Sequence, residues 1–367
     1  MPAGPDLDRY RVPARATAAL ETMVDHIQAN PGDLIDPREF GEGYELPDMQ
    51  AVLAQLPPEL SEEDFVGILR LALLTECATE SYSNVISSIG RRFDAPWLSR
   101  FTEDVWAPDE ITHHTPYRYM LQALGFSDEE LCRDIRETQE KQYVHPGSYT
   151  PVHITTFGML QEYLTDSYHG LIARHLKAAA PVEASMVYRV KRRETLHTIW
   201  YRDMTAIQLE ANPRLVQDVA TEILSFDMPG ASLVPDLQAQ GKRWQQLMGI
   251  NVEQVFRDLL RLVHEMLGST RLTGELVMTL AARKNIDLGP ISADQLRRAL
   301  SRLGGAGYGL IGEALLEKVG LGYLFERPST NGAGSSPLGS LQTKVRTLLR
   351  GWISDQIPAP HAVMLTA

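Results

Sequence analysis

Two copies of the pattern Glu-x-x-His are the residues of this sequence best suited to chemistry: Glu110 with His113, and Glu194 with His197. On a helix, positions i and i+3 lie on one face, so the carboxylate and the imidazole of each copy can reach a common point. Carboxylate oxygen and imidazole nitrogen together suit iron or manganese. The pattern is short and also arises by chance, so it predicts a metal site only if other segments supply further ligands.

Two further glutamates lie in apolar stretches, Glu76 in LALLTEC and Glu162 in FGMLQEYL. A carboxylate in an apolar stripe is unfavourable unless it is paired or bound to a metal. The chain therefore runs Glu, Glu-x-x-His, Glu, Glu-x-x-His, and the steps from 76 to 110, 110 to 162 and 162 to 194 are 34, 52 and 32 residues. A duplicated helix pair would give this order, which is typical of two-metal carboxylate sites in four-helix bundles.

Long amphipathic helices have to position these residues. The apolar periodicity predicts helices over 61–89, 152–179 and 182–211, the last two separated at Pro181. Each would be roughly 40 Å long at 1.5 Å per residue, and helices of that length in soluble proteins usually belong to a bundle. No alternating pattern of strand length stands out, so we expect an all-α fold.

The composition limits the classes of function. The chain has 367 residues and a formal charge of −12, and this acidic balance argues against general nucleic-acid binding. Its two cysteines, Cys77 and Cys132, form no CxxC pair or cysteine zinc site, which fits a reducing cytoplasm. Residues 1–15 lack an apolar core and no run of 18 apolar residues occurs, so we expect neither a signal peptide nor a spanning helix.

The chain divides into two parts of unequal size. We expect residues 1–270 to form the bundle domain and residues 271–367 to form a C-terminal helical extension. Within the extension, the segment PSTNGAGSSPLGS at 328–340 is rich in proline, glycine and serine, and this composition predicts a flexible linker.

Four segments of the chain resemble the soluble acyl-carrier-protein desaturases of plant plastids and actinobacteria. Residues 161–174, QEYLTDSYHGLIAR, match that family's Q-E-x-x-T-x-x-x-H-G-x-x-A-R. Residues 106–113, WAPDEITH, are similar to W-T-A-E-E-N-R-H, and residues 193–197, RETLH, are similar to D-E-K-R-H. Residues 226–229, FDMP, resemble the Met-Pro stretch that follows the bundle in the family. The resemblance covers roughly residues 60–267.

The resemblance implies a ferritin-like four-helix di-iron bundle with additional flanking helices. Family members use O₂ and electrons from an external donor such as ferredoxin to introduce a double bond into an acyl chain on acyl carrier protein. They are commonly homodimers. Carried over residue by residue, the resemblance implies six ligands for two iron ions: Glu76, Glu110, His113, Glu162, Glu194 and His197.

Three neighbouring residues have expected roles outside the ligand set. Glu80 lies on the same predicted helix face as Glu76 and is a rival for its place. Thr165 follows Glu162 by three residues, and in the family this hydroxyl assists oxygen activation, whereas an ordinary helix threonine bonds back to the main chain. We expect His169 to be structural.

One departure from the family pattern concerns the orientation of a ligand histidine. The family often has Asp immediately before the second-motif Glu, where it accepts a hydrogen bond from a ligand imidazole, but this chain has Arg193. Arginine only donates hydrogen bonds, so another carboxylate must orient the imidazole, with Asp109 and Asp203 as candidates, or the electron path differs.

A cationic stretch is a candidate docking surface for an acidic carrier protein. Residues 171–202 hold seven Lys and Arg against two Glu, and we single out Lys177, Arg189, Lys191 and Arg192. The alternative is an ordinary solvated helix face. The acyl chain would lie in an apolar tunnel between helices, with Phe157, Met159 and Tyr163 as candidate wall residues.

Two other classes of function stay open. One is a different di-iron oxygenase, a hydroxylase or N-oxygenase acting on a carrier-tethered intermediate. N-oxygenases tend to carry an additional histidine ligand, and the position four residues before Glu194 is Val190. The other is an iron-binding paralogue without turnover.

Overall fold

The computed structural model describes residues 10–41, 43–141, 149–226 and 237–283, and all regular structure within these ranges is helical. The predicted all-α class is confirmed. The α-helices are α1 Ala14–Ala29, α2 Met49–Leu53, α3 Glu62–Glu76, α4 Thr79–Arg92, α5 Pro96–Arg100, α6 Ala107–Glu110, α7 Thr115–Ala123, α8 Asp128–Gln139, α9 Pro151–Leu176, α10 Pro181–Ala211, α11 Val216–Ser225, α12 Leu237–Leu247, α13 Val252–Leu267 and α14 Thr270–Arg283. Short 3₁₀ turns occupy Pro37–Phe40 and Pro213–Leu215, and a π-helix occupies Phe101–Trp106.

The two longest helices, α9 and α10, pack against each other as an antiparallel hairpin. Their bounds agree with the predicted helices to within three residues, and Pro181 starts α10 at a position where its missing N–H costs nothing. Gly158 allows the close approach, because a Cβ there would lie 2.7 Å from the ring of Tyr201. Together α9 and α10 form a hairpin of two uninterrupted helices.

The predicted helix 61–89 is wrong as one element, since the chain breaks at Cys77 and Ala78 into α3 and α4. Ser61 begins α3 as predicted, its hydroxyl accepting from the Asp64 N–H at 3.1 Å. The Thr79 hydroxyl donates to the carbonyl of Glu76 at 2.9 Å, which satisfies one of the carbonyls freed at the end of α3. No glycine or proline marks this break.

The first Glu-x-x-His element lies on an irregular stretch rather than on an α-helix. The Ala107 N–H donates to the carbonyl of Thr102, five residues back, and the His113 N–H donates to that of Glu110, three residues back. Pro108 and Pro116 contribute to the irregularity, because each removes an N–H donor from the ladder. The chain thus passes from π-helix through α6 and a tight turn into α7.

The last described helix, α14, shares the core of the helices before it. Leu276 and Leu280 belong to the same buried cluster as residues of α9, α10 and α11, and Gln217 of α11 donates to Thr279 at 2.8 Å. The predicted boundary at 270 does not coincide with a break in packing. The remainder of the predicted extension, including the linker at 328–340, lies outside the described residues. Among the described helices, none is long and apolar enough to cross a membrane.

Candidate metal centre

The six side chains predicted as ligands come together and are all buried. They form two overlapping groups, within each of which one candidate ligand atom per residue lies within 4.8 Å of the others. Glu110 and Glu194 belong to both groups, so they are placed to bridge two metal ions. The groups are Glu76, Glu110, His113 and Glu194, and Glu110, Glu162, Glu194 and His197.

Both ligand imidazoles turn the same nitrogen towards the carboxylates. Nδ1 of His113 lies 2.7 Å from Oε1 of Glu194 and 3.4 Å from Oε2 of Glu110. Nδ1 of His197 lies 3.2 Å from Oε2 of Glu110 and 3.7 Å from Oε2 of Glu162. The two rings are nearly parallel, at an interplanar angle of 18° with centroids 5.7 Å apart. One side of the imidazole pair therefore faces the carboxylates, and the other side is free for other partners.

Several polar atoms of this cluster are buried and have no hydrogen-bond partner among the residues that the structure describes. They include one oxygen each of Glu76, Glu110 and Glu162, and Nδ1 of His197. Unsatisfied buried polar atoms are rare in folded proteins, and several in one place suit a metal ion as their common partner. Oxygen and imidazole nitrogen in this mixture suit iron or manganese, so the residues present fit a pair of such ions.

The charges of the cluster support the same conclusion. Four glutamates and Asp109 carry five negative charges when ionised, and Arg193 carries one positive charge; all six side chains are buried. The excess of four negative charges equals the charge of two divalent cations. A net charge of this size is strongly unfavourable away from water unless it is compensated.

When no metal is bound, protons on the carboxyl groups neutralise part of this negative charge. Burial and the charges of Glu110 and Glu162 raise the pKa of Glu194 well above its usual range. Burial and Glu162 raise the pKa of Glu110 to about 7. Burial acts against the ionised form of Glu162 as well, but the nearby Glu194 and His197 side chains and the hydrogen bond from Trp106 lower its pKa. The cluster therefore holds protons near neutral pH that metal binding must displace.

Asp109 takes the orienting role that Arg193 cannot fill. Its Oδ2 accepts from Nε2 of His197 at 2.8 Å, and its Oδ1 lies 3.4 Å from Nε2 of His113. Arg193 donates to Asp109 from Nε at 2.7 Å. Burial opposes ionisation of Asp109, yet hydrogen bonds from the two histidines lower the pKa of its carboxyl. One carboxylate thus faces both ligand imidazoles, and the buried arginine fixes that carboxylate.

The prediction that Asp203 could orient the imidazole is wrong, because Asp203 accepts a hydrogen bond from Arg202 at 2.8 Å instead.

A second hydrogen-bond donor near the ligands has no role predicted from the sequence. Nε1 of Trp106 donates to Oε1 of Glu162 at 3.1 Å. The only sequence signal for it was the place of this tryptophan at the start of WAPDEITH.

Thr165 lies beside the ligands and also makes the main-chain contact of an ordinary helix threonine. Its hydroxyl is 3.1 Å from Oε2 of Glu194 and 3.0 Å from the main-chain carbonyl of Glu162. The side chain is buried. A hydroxyl has a single proton, so it can donate to only one of these acceptors at a time and can exchange between them.

Glu80 and His169 lie in different surroundings, one exposed and the other buried beside the ligands. Glu80 is exposed on α4, so it does not compete with Glu76. His169 is buried and belongs to neither ligand group, but its Nε2 lies 3.3 Å from Oε1 of Glu76. Its Nδ1 is hydrogen bonded to the hydroxyl of Tyr117. His169 therefore stands beside the ligands without joining them.

The four candidate docking residues differ in their surroundings. Arg189 is paired with Glu39 at 2.7 Å, and Lys191 is paired with Asp166 at 2.8 Å. Lys177 and Arg192 are exposed and make no ion pair within the described part of the chain. Only these last two carry charge available to a partner.

A narrow apolar cavity meets the ligand cluster at Glu162. Tyr82, Phe157 and Tyr201 line it, and Trp106 closes it beside the carboxylate. Its free volume is about 10 Å³, room for roughly one water molecule. An acyl chain could occupy this space only if lining side chains move. Of the predicted wall residues, Phe157 lines the cavity, whereas Met159 and Tyr163 do not.

Comparisons with known proteins identify no family for this chain. A scan against protein-family models gives no match for the chain, and a search of curated proteins finds no significantly similar sequence.

Proposed function

We propose that the chain is an O₂-dependent di-iron desaturase that introduces a double bond into an acyl chain carried on acyl carrier protein. The observation that carries the proposal is the pair of overlapping ligand groups that share Glu110 and Glu194. Two carboxylates common to both groups are what a dinuclear centre requires, whereas a single structural metal needs only one closed set of ligands.

A bound pair of iron ions would supply the reduction of O₂ and the oxidising power needed to remove hydrogen from C–H bonds that have no acid–base handle. O₂ takes two hydrogens from the acyl chain, two electrons from the external donor and two protons from water, which gives one double bond and two waters. A ferredoxin-type protein is the proposed donor, and the active species is proposed to be a homodimer.

The chain's own residues have distinct tasks in this reaction. Asp109 lies at Nε2 of both His113 and His197 and would thereby orient the two rings so that their Nδ1 atoms could hold the ions. Thr165 offers a proton beside Glu194. The cavity between Phe157 and Tyr201 would open to admit the methylene groups beside Glu162.

The cationic residues Lys177 and Arg192 provide the proposed contact with the acidic carrier. We expect Lys177→Glu and Arg192→Glu to raise KM for the carrier-linked substrate with little change in kcat, because both side chains are exposed and neither forms an ion pair with another described residue. Lys191→Glu is a poor probe, since it also breaks the pair with Asp166. An unchanged KM in both variants would exclude this docking surface.

Metal loading followed by product analysis tests the proposal. The protein is loaded anaerobically with Fe²⁺, its metal content is measured, and acyl carrier protein bearing a saturated chain is added with a reduced donor and O₂. About two irons per chain and loss of two hydrogens from the product support desaturation. Gain of one oxygen would identify a hydroxylase. Iron binding without any product would identify an iron-binding protein without turnover.

A further inference from the structure

Glu76 occupies an unfavourable position for a ligand carboxylate. It is the last residue of α3, where the unpaired carbonyls and the helix dipole make the local potential negative. Its side chain is buried, and Oε2 has no hydrogen-bond partner. No lysine or arginine pairs with it among the described residues. Glu76 therefore needs a neutral donor to hold its orientation.

His169 and Tyr117 supply a fixed donor at this point. The Tyr117 hydroxyl is hydrogen bonded to Nδ1 of His169, and Nε2 of His169 lies 3.3 Å from Oε1 of Glu76. Both side chains are fully buried, and their rings lie 5.6 Å apart at 24°. Tyr117 comes from α7, His169 from α9 and Glu76 from α3, so the contact ties three helices together.

The hydrogen-bond pattern determines which nitrogen carries the proton. With the phenol donating to Nδ1, the neutral imidazole carries its proton on Nε2 and presents an N–H to Glu76. The reverse tautomer would place a nitrogen lone pair against two carboxylates, Glu76 at 3.3 Å and Glu194 at 4.0 Å. The first arrangement is favourable and the second is repulsive.

We infer that Tyr117 and His169 form a positioning pair: the phenol fixes the tautomer of His169, and its Nε2–H orients Glu76 for metal binding. This inference rests on the proposed metal centre. His169 acts here as a donor and not as a seventh ligand, since it lies outside both groups of mutually close ligand atoms. Trp106 has the matching task for Glu162, to which it donates from its indole N–H. Each unshared glutamate thus has one ring nitrogen beside it, at 3.3 Å for Glu76 and 3.1 Å for Glu162.

The experiment measures Co²⁺ binding rather than turnover. Anaerobic titration of the full chain is followed by absorption, and the position that contains Glu76 is identified as the binding step lost in Glu76→Ala. We expect Tyr117→Phe to raise Kd of that step about 10-fold, and His169→Leu to raise it roughly 10- to 100-fold, as loss of an outer hydrogen bond does at other metal sites. His169→Gln keeps an N–H near Glu76 and should restore most of the affinity.

Tyr168→Phe is the matched control. It removes a buried hydroxyl from the residue next to His169, and this hydroxyl has no hydrogen-bond partner among the described residues. Its Co²⁺ affinities should equal those of the wild type. If His169→Leu does not fold, as judged by circular dichroism, Tyr117→Phe decides alone because it changes only one atom.

The possible outcomes separate this inference from the proposed function. A wild-type chain that binds no Co²⁺ would overturn the metal centre itself. Two bound Co²⁺ with Tyr117→Phe and His169→Leu indistinguishable from Tyr168→Phe would overturn the positioning pair and leave the centre intact. Fewer imidazole ligands per cobalt in His169→Leu, counted by X-ray absorption, would show that His169 is a ligand and would also overturn the inference.

Discussion

The segments 62–123 and 151–211 supply the same set of ligands, a glutamate followed by Glu-x-x-His, but they support it differently. In the second segment, Glu162, Glu194 and His197 lie inside two long uninterrupted helices. In the first segment, Glu76 ends a helix, Glu110 ends the four-residue helix that follows a π-helix, and His113 lies in the turn after it.

The difference shows two ways to fix a side chain. In the α9–α10 hairpin, helix packing determines where the ligands lie. In the first segment, neighbouring side chains take this role: Asp109 accepts from His197 and lies 3.4 Å from Nε2 of His113, and Nε2 of His169 lies 3.3 Å from Oε1 of Glu76. We therefore expect changes in α9–α10 packing to lower stability, and changes around the first segment to affect the metal centre as well.

The largest expected effect is on metal content, and it differs between ligands that belong to both groups and ligands that belong to one. Glu110→Ala and Glu194→Ala each remove a residue of both groups and should abolish binding of both metals. Glu76→Ala and Glu162→Ala each remove a residue of one group and should leave about one metal per chain. Metal analysis after anaerobic Fe²⁺ loading measures this. Retention of one metal in Glu194→Ala would show that the two groups are not bridged.

The next largest effect is a loss of stability when the buried ion pair of Arg193 and Asp109, which supports the first segment, is broken. Arg193→Met leaves Asp109 buried without its cation and should lower the free energy of unfolding of the metal-free protein by about 3–5 kcal/mol. Adding Asp109→Asn should recover part of this loss, as urea unfolding can show. Lys191→Met is the control on the same helix. Its ion pair with Asp166 is partly exposed, so the loss should stay within about 1 kcal/mol.

A smaller effect concerns the α9–α10 contact. Gly158→Ala places a methyl group 2.7 Å from the Tyr201 ring and should destabilise the protein by about 1–3 kcal/mol. Gly170→Ala, on the same helix, meets only the flexible Lys191 side chain at 3.2 Å, and should be neutral or stabilising by up to about 1 kcal/mol. Thermal unfolding of both variants measures the difference. Equal values would mean that the hairpin contact is not tight.

The smallest effect is a pH dependence of metal affinity. The pKa of Glu110 is raised to about 7 and that of Glu194 is raised well above its usual range, so both carry protons that metals must displace. Loss of the Glu110 proton should therefore raise the affinity about tenfold in total between pH 6 and pH 8. In the metal-free protein the sign is opposite, because the raised pKa of Glu110 stabilises the fold at low pH and this contribution is lost as pH rises through 7. Titrations at several pH values, with and without metal, test both signs.

The sequence predicted the helical class and brought attention to the right side chains, because periodicity and i, i+3 spacing are local properties. It could not predict the break after Glu76, which no glycine or proline marks. It also left two candidates for the orienting carboxylate. The contact between Asp109 and Arg193 joins residues 84 positions apart, so only the folded chain could identify it.

The π-helix Phe101–Trp106 affects which deletions of a residue the sequence can accept during evolution. Its hydrogen bonds span five residues instead of four, so it holds one residue more than the same turn of α-helix would need. Deleting one residue here can convert the turn to α-helix while Glu110 and His113 keep their places. The same deletion in α9 would rotate Glu162 by about 100° relative to residues before it. The first segment thus contains a point where length can vary without loss of the ligand pattern, whereas the second does not tolerate such a change.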